Sequence, residues 1–209
     1  MPWESAVNNA TGNGLLIVIS GPSGAGKGTL CRELLHRRPD VAYSVSATSR
    51  QPRAGEVEGK EYFFYSKEEM SGMIADGDLL EWAEYCGHYY GTPRSLVEKT
   101  ILAGQDIILE IEIQGALKIK QTCPQAVFIF IVPPSLDTLA ERIHRRGTET
   151  EEAIQARLEK ALQELNYLSQ YDYVIVNDEI SVAVDKLVSI IAAEKCKILR
   201  KVFDFKEEA

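Results

Sequence analysis

The stretch GPSGAGKGT at positions 21–29 carries residue types that hold phosphate rather than move protons. Its Gly-x-x-x-x-Gly-Lys core is complete: Gly21, Pro22, Ser23, Gly24, Ala25, Gly26 and Lys27, followed by Gly28 and Thr29. In such a loop successive backbone N–H groups turn inward around an anion. The helix that follows adds partial positive charge, and the lysine reaches the β- and γ-phosphates. The full motif places Ser or Thr directly after the lysine, where its hydroxyl holds Mg²⁺. Here that position is Gly28, so the expectation is a hydroxyl displaced or supplied by Thr29. An apolar run at 15–20 precedes the loop and a helical run ending before Pro39 follows it. That context separates a phosphate loop from a tight glycine turn.

Two further groups of arginines suit anions. Arg50 and Arg53 sit in a polar loop beside Pro52, where two guanidinium forks can take one phosphate. Alone they read equally as solvated surface charges. Arg142, Arg145, Arg146 and Arg157 form a third group in an arginine-rich helical stretch. Arginines in a closing segment can stabilise charge spread over a transferred phosphoryl group. Arg145 is expected on the solvated face, and Glu149, Glu151 and Glu152 can pair with some members of the group.

The elements that must position these residues alternate. Buried strands are expected at 15–20, 107–113, 126–132 and 173–176, with helices between them. Thr92-Pro93 reads as an N-cap with proline at the first helical position, and Gly104 as the cap at the other end. Ser135 reads as a further cap, and Thr148 with Glu151 as a capping box. Ile154, Leu158, Ala161, Leu162, Leu165 and Leu168 recur at helical spacing and should face the core. A last helix is expected over 181–199. This order implies an α/β fold with a parallel sheet. Short aromatic runs between 44 and 91 look like a small mixed β insert, and 133–157 like a helical one.

Composition narrows the function classes. With 209 residues, 45% hydrophobic and 26% charged, the chain is an ordinary globular one. A formal net charge of −8 argues against a global hold on nucleic acid. No apolar run is long enough for a membrane span. Residues 1–13 read as a frayed leader without a signal pattern. Cys31, Cys86, Cys123 and Cys196 are widely spaced and read as reduced thiols of a cytoplasmic protein.

The chain resembles the guanylate kinases, which phosphorylate GMP from ATP. The resemblance is carried by GPSGAGKGT (21–29), SVSATSRQPRAGEVEGKEYFF (44–64), LLEWAEYCGHYYGTPR (79–94), ILEIEIQGA (108–116), IVPPS (131–135), RRGTETEEAIQARL (145–158) and YDYVIVND (171–178). It implies a P-loop core with a five-stranded parallel sheet flanked by helices, formed by 14–45, 106–132 and 158–209. It implies a mixed β GMP-binding insert at 46–105 and a helical lid at 133–157 that closes over ATP. The positions that match the family's phosphate-binding pair are Arg50 and Arg53, helped by Tyr62 and Tyr90. Ser46 and Glu81 match residues that read guanine, and Thr92 keeps a hydroxyl at its position. Arg146 and Arg157 match lid arginines on the ATP phosphates, with Arg142 beside them. Asn177 matches a residue near the adenine.

The chemistry of Glu81 agrees with that role. Guanine presents N1–H and an exocyclic NH₂ side by side, and one carboxylate accepts both. Adenine lacks that donor pair and would leave the carboxylate unpaired. Where the family shows Asp-Ile-Asp, this chain has Glu110-Ile-Glu112. Residues two apart on a strand share a face, so both carboxylates are expected at the cleft. Glu110 would hold Mg²⁺ through water, and Glu112 would approach the guanine. The expected reaction is Mg²⁺-dependent transfer from ATP to GMP. None of His36, His88 or His144 is needed as a base. A guanylate-kinase-like interaction module and a kinase for another nucleoside monophosphate are the alternatives. Monomer and homo-oligomer both stay open.

Overall fold

A computed structural model describes residues 14–144 and 151–197. Arg145, Arg146 and Thr148, the 1–13 leader and positions 198–199 lie outside the described residues, and the helix expected over 181–199 ends earlier, at Lys195. In chain order the elements are β1 (Leu16–Ser20), α1 (Lys27–Arg37), β2 (Ala42–Tyr43), β3 (Ala47–Thr48), β4 (Phe63–Phe64), α2 (Lys67–Asp76), β5 (Leu79–Tyr85) and β6 (His88–Pro93). Then come α3 (Arg94–Leu102), β7 (Ile107–Glu110), α4 (Ile113–Thr122), β8 (Val127–Val132), α5 (Leu136–His144), α6 (Glu151–Leu165), a 3-10 turn (Leu168–Gln170), β9 (Tyr173–Val176) and α7 (Ile180–Lys195).

Five strands form an all-parallel sheet in the order β2, β7, β1, β8, β9. Both faces of β1 are covered, which is why its sequence is apolar throughout. Side chains alternate between two cores. Ile17 and Ile19 meet Leu30 and Leu34 of α1 and Val184, Leu187 and Ile191 of α7. Leu16 and Val18 meet Val97 and Ile101 of α3 and Ala116 and Ile119 of α4. The chain leaves β1 toward β2 on one side, and β8 lies on the other. Ligands of such sheets sit where neighbouring strands send their connections apart, beyond the strands' carboxyl ends. The 21–29 loop lies there: a β-carbon on Gly21 would be 2.1 Å from the Ile131 carbonyl oxygen of β8.

A second sheet has the order β4, β3, β6, β5 and is mixed, with β3–β4 parallel and β3–β6 and β5–β6 antiparallel. It has its own small core of Ala47, Met70 and Leu79, with Phe63, Trp82 and Tyr89 packed against it. The helix α2 begins with a capping box between Ser66 and Glu69. The pair α5 and α6 packs through Leu139, Ile143, Ile154, Leu158 and Ala161. Ser135 caps α5 as expected, its Oγ accepting from the Thr138 N–H at 3.0 Å.

Several local expectations are corrected. Leu162 and Leu168 are 47% and 38% exposed. The covered stripe of α6 runs through Ile154, Leu158 and Ala161; Leu162 lies one step round from it, and Leu168 falls in the turn beyond the helix. Thr92 is not a helix cap. It stays in β6, Pro93 takes the N-cap, and α3 starts at Arg94. The strand expected over 107–113 ends at Glu110, and Glu112 becomes the N-cap of α4. Glu110 and Glu112 therefore do not share a strand face. The short edge strand β2 was not expected, because two residues carry no periodicity.

Candidate active site

The phosphate loop is built as its spacing requires. Gly26 has φ of 90°, a left-handed conformation that glycine adopts without strain. It is also the N-cap of α1, so the loop runs straight into a helix N-terminus. The Lys27 ammonium folds across the loop and donates to the carbonyl oxygens of Gly21 at 2.5 Å and Pro22 at 3.3 Å.

Three side chains brace the loop from behind. Asn177 is 3% exposed, and its Nδ2 donates to the Ala25 carbonyl at 2.7 Å. A β-carbon on Gly26 would lie 2.4 Å from that nitrogen, so only glycine leaves room for the amide. Arg142 of α5 donates to the Asn177 carbonyl at 3.0 Å and to the Ala25 carbonyl at 3.5 Å. Arg157 of α6 donates to the Ser23 hydroxyl at 2.5 Å. The structure thus brings Ser23, Lys27, Arg142, Arg157 and Asn177 together at one loop. Thr29 is exposed on the first turn of α1.

A second cluster lies in the mixed sheet. The Arg50 guanidinium stacks 5.4 Å from the Tyr62 ring centroid, and the Tyr62 and Tyr90 rings meet edge-on at 6.0 Å. Both Arg50 terminal nitrogens donate to Glu56, at 3.0 and 2.9 Å. The Arg53 backbone N–H donates to the same carboxylate at 2.8 Å, and Arg53 is exposed. Arg50 beside it holds the Glu56 carboxyl below the usual carboxylate range. Arg50 and Arg53 thus share an anchor, although only the Arg50 fork joins the aromatic cluster. Sequence reasoning missed Glu56; its place six residues after Arg50 in a polar loop was the available signal.

Glu81 lies beneath the mixed sheet against α4. It is 8% exposed, and its Oε1 accepts from the Thr92 hydroxyl at 2.7 Å. Burial raises its pKa, opposed by the Thr92 hydrogen bond and by Lys118. The other oxygen faces α4: a β-carbon on Gly115 would lie 2.5 Å from Oε2. The role of Gly115 is the space that it leaves for the Glu81 carboxylate. Ser46 is half-buried at the entry to β3. Its carbonyl accepts from the Phe63 N–H at 2.9 Å.

The two acidic residues after β7 diverge. Glu110 lies against the first turn of α1 and accepts from the Tyr43 hydroxyl at 3.2 Å. Glu112 is largely exposed and pairs with Lys160 of α6 at 3.7 Å. Lys160 also reaches Glu164 at 3.7 Å. Glu112 is thus turned toward α6 rather than toward Glu81.

A phosphate loop, an arginine–tyrosine cluster and a buried carboxylate suit a donor phosphate, an acceptor phosphate and a base with adjacent N–H donors. Comparison with known proteins bears on the family. The family model described as guanylate kinase matches residues 13–194. A guanylate kinase of Desulfitobacterium hafniense (strain Y51) is 65% identical over 193 residues, 92% of this chain and 96% of that protein. One of Halalkalibacterium halodurans is 55% identical over 184 residues, 88% of this chain and 90% of that protein. The crystal structure of a guanylate kinase from Anaplasma phagocytophilum superposes with a TM-score of 0.74 at 36% identity, covering 92% of each chain. With the family match spanning most of its length, the chain belongs to the guanylate kinase family.

Proposed function

We propose that this chain transfers the γ-phosphoryl group of ATP to GMP, releasing ADP and GDP, with Mg²⁺ on the ATP phosphates. The observation that carries the acceptor half is Glu81. A carboxylate so buried needs hydrogen-bond donors, and Thr92 supplies one to a single oxygen. The N1–H and exocyclic NH₂ of guanine supply the missing pair, with Ser46 beside them. The GMP phosphate is assigned to Arg50, Arg53, Tyr62 and Tyr90. Glu112 is given no part in reading the base, because it pairs with Lys160.

The donor half rests on the loop 21–29, with Lys27 on the β- and γ-phosphates and Asn177 behind the loop. Arg142 and Arg157 neutralise charge on the phosphoryl group from α5 and α6, and Arg146 is assigned to the same task from outside the described residues. Segment 133–157 is read as the lid and 46–105 as the GMP-binding insert; α6 runs on past residue 157 to Leu165. A GMP phosphate oxygen forms the new bond to the γ-phosphorus as the bond to the bridging β,γ-oxygen breaks. That oxygen is already anionic near neutral pH, so no general base is needed. The chain's work is alignment, charge neutralisation and exclusion of water.

The donor set fits Mg²⁺, a hard cation that takes oxygen ligands. The Glu110 carboxylate lies beside the first turn of α1, and Thr29 is on that turn. Those two residues would hold the ion, which supplies neutralisation of the phosphate oxygens when bound. Cys31, Cys86, Cys123 and Cys196 are not joined in disulfides among the described residues, which suits a reducing compartment, and we assign the protein to the cytoplasm. No helix among the described residues is long and apolar enough to cross a membrane.

Calorimetric titration with GMP tests the acceptor site. Saturable binding is expected, weakened at least tenfold in each of R50A and E81Q. Binding unchanged in both variants would overturn the assignment.

A further inference from the structure

Lys118 of α4 lies against the strand that carries Glu81. Gly115 and Lys118 stand three apart on α4 and so share a helix face. Gly115 leaves the space for the Glu81 carboxylate, and about one turn further on Lys118 crosses to the mixed sheet. Its ammonium donates to the Trp82 carbonyl oxygen at 2.6 Å and lies 5.1 Å from the centre of the Trp82 ring. Trp82 follows Glu81 directly in β5. The ladder is irregular at this point: Leu79 pairs with Pro93 and Trp82 with Gly91, so three steps along β5 match two along β6. An extra residue of this kind bends a strand and re-aims its side chains. Glu81 stands inside the irregularity, turned toward Thr92 and α4. The groups that act on its ionisation are the Thr92 hydroxyl from β6 and Lys118 from α4, both in favour of the carboxylate. Glu112, at the head of α4, is turned to Lys160 instead.

We propose that Lys118 is a positioning residue of the acceptor site: from the core helix it pins the Trp82 carbonyl, and with it the bulge of β5 that aims Glu81 at the base, while its charge holds Glu81 in the form that accepts two N–H donors. The inference rests on Glu81 as the reader of guanine and deepens that assignment. Lys118 acts through Trp82 and Glu81 and is assigned no contact with substrate. A protonated Glu81 would carry an O–H donor of its own, opposed to the donor pair on the base. Thr92 fixes one carboxylate oxygen from within the mixed sheet. Lys118 fixes the same strand from the helix layer of the parallel sheet, so the base reader is tied to both parts of the molecule. The lysine is exposed and solvent screens its charge, so the electrostatic share is small and the hydrogen bond carries the positioning.

Steady-state kinetics of K118M and K118R over a pH series test this. Methionine keeps the length and the helix preference and removes the ammonium; K118Q replaces it if it does not fold. K118M is expected to lose about fivefold in kcat/KM for GMP at pH 7, carried by KM, with KM for ATP within about twofold. Without the lysine charge Glu81 takes up its proton at higher pH. The ratio of wild-type to K118M kcat/KM should therefore widen about threefold further as pH falls into the carboxylate range. Taking the ratio at each pH cancels the titration of the GMP phosphate, which both proteins share. K118R keeps the charge, the donor and the ring contact, and should recover most of the loss with a ratio that is flat in pH. A K118M profile that follows the wild type, a loss that does not change with pH, or no recovery in K118R would overturn the proposal. E81Q is run alongside. GMP use lost in E81Q together with any of those results overturns the role of Lys118 alone; GMP use unchanged in E81Q overturns the base-reading assignment on which it rests.

Discussion

The Thr92 hydroxyl donates to Glu81 Oε1 at 2.7 Å across the β5–β6 pair, in a site closed on its far side by Gly115 of α4. Removing that bond strips the buried carboxylate of an opposing influence on its raised pKa. Thr92→Val should therefore push Glu81 further up and move the acid limb of the kcat/KM profile for GMP to higher pH. The profile for ATP should stay in place. An unmoved GMP limb would contradict the assignment of Glu81 as an ionised base reader.

Glu81→Gln separates stability from recognition. A carboxyl group raised in the fold holds protons that the unfolded chain has released, so stability falls as pH rises from the ordinary carboxylate range through the raised value. The glutamine variant lacks this loss. Its thermal midpoint at pH 7, read by circular dichroism, is expected at or above that of the wild type. Its kcat/KM for GMP should fall about 100-fold or more, the scale of losing charge-assisted hydrogen bonds. A lowered midpoint with unchanged GMP use would reverse both expectations.

Gly115→Ala places a methyl group 2.5 Å from Glu81 Oε2, where something must move. Alanine favours the helix by about 1 kcal/mol over glycine, so α4 itself has no reason to unravel. The variant should raise KM for GMP about 10-fold or more and leave KM for ATP within about twofold. Steady-state kinetics with each substrate varied in turn decides this; equal changes in both constants would count against it.

Glu56 takes two of the five N–H donors of Arg50 and the Gln51 carbonyl oxygen accepts from a third, so the guanidinium is held in place with donors left for a phosphate. Its carboxyl is lowered by Arg50, so the pair is intact at neutral pH and is lost as pH falls through that lowered value. Glu56→Gln should raise KM for GMP about fivefold at pH 7. As pH is taken below the carboxylate range, the wild type should approach the variant. A KM equal to wild type at pH 7 would remove Glu56 from the account.

Much of this is legible in the sequence. The phosphate loop announced itself because Gly26 and Lys27 stand at fixed spacing after an apolar strand, and that chemistry is local. The parallel sheet followed from alternating strands and helices. What escaped was set by tertiary packing. Glu110 and Glu112 look equivalent on a strand, and nothing local says that the strand stops between them and that Glu112 turns toward Lys160. Gly115 and Glu81 are 34 positions apart in sequence and meet only once α4 packs under β5. Glu56 was hidden for a different reason: a surface carboxylate in a charged loop has many possible partners, and only the fold selects Arg50. Leu162 shows the converse, an apolar residue at helical spacing for which α5 offers no cover.

The most direct measurement is ADP release from MgATP in a coupled assay with GMP, AMP, UMP or no acceptor, on the wild type and on Lys27→Ala. The account predicts release that depends on GMP, at least about 100-fold preference for GMP over AMP, and less than about a tenth of wild-type turnover in the lysine variant. Equal use of AMP, release that is indifferent to the acceptor, or a lysine variant that retains wild-type turnover would contradict it.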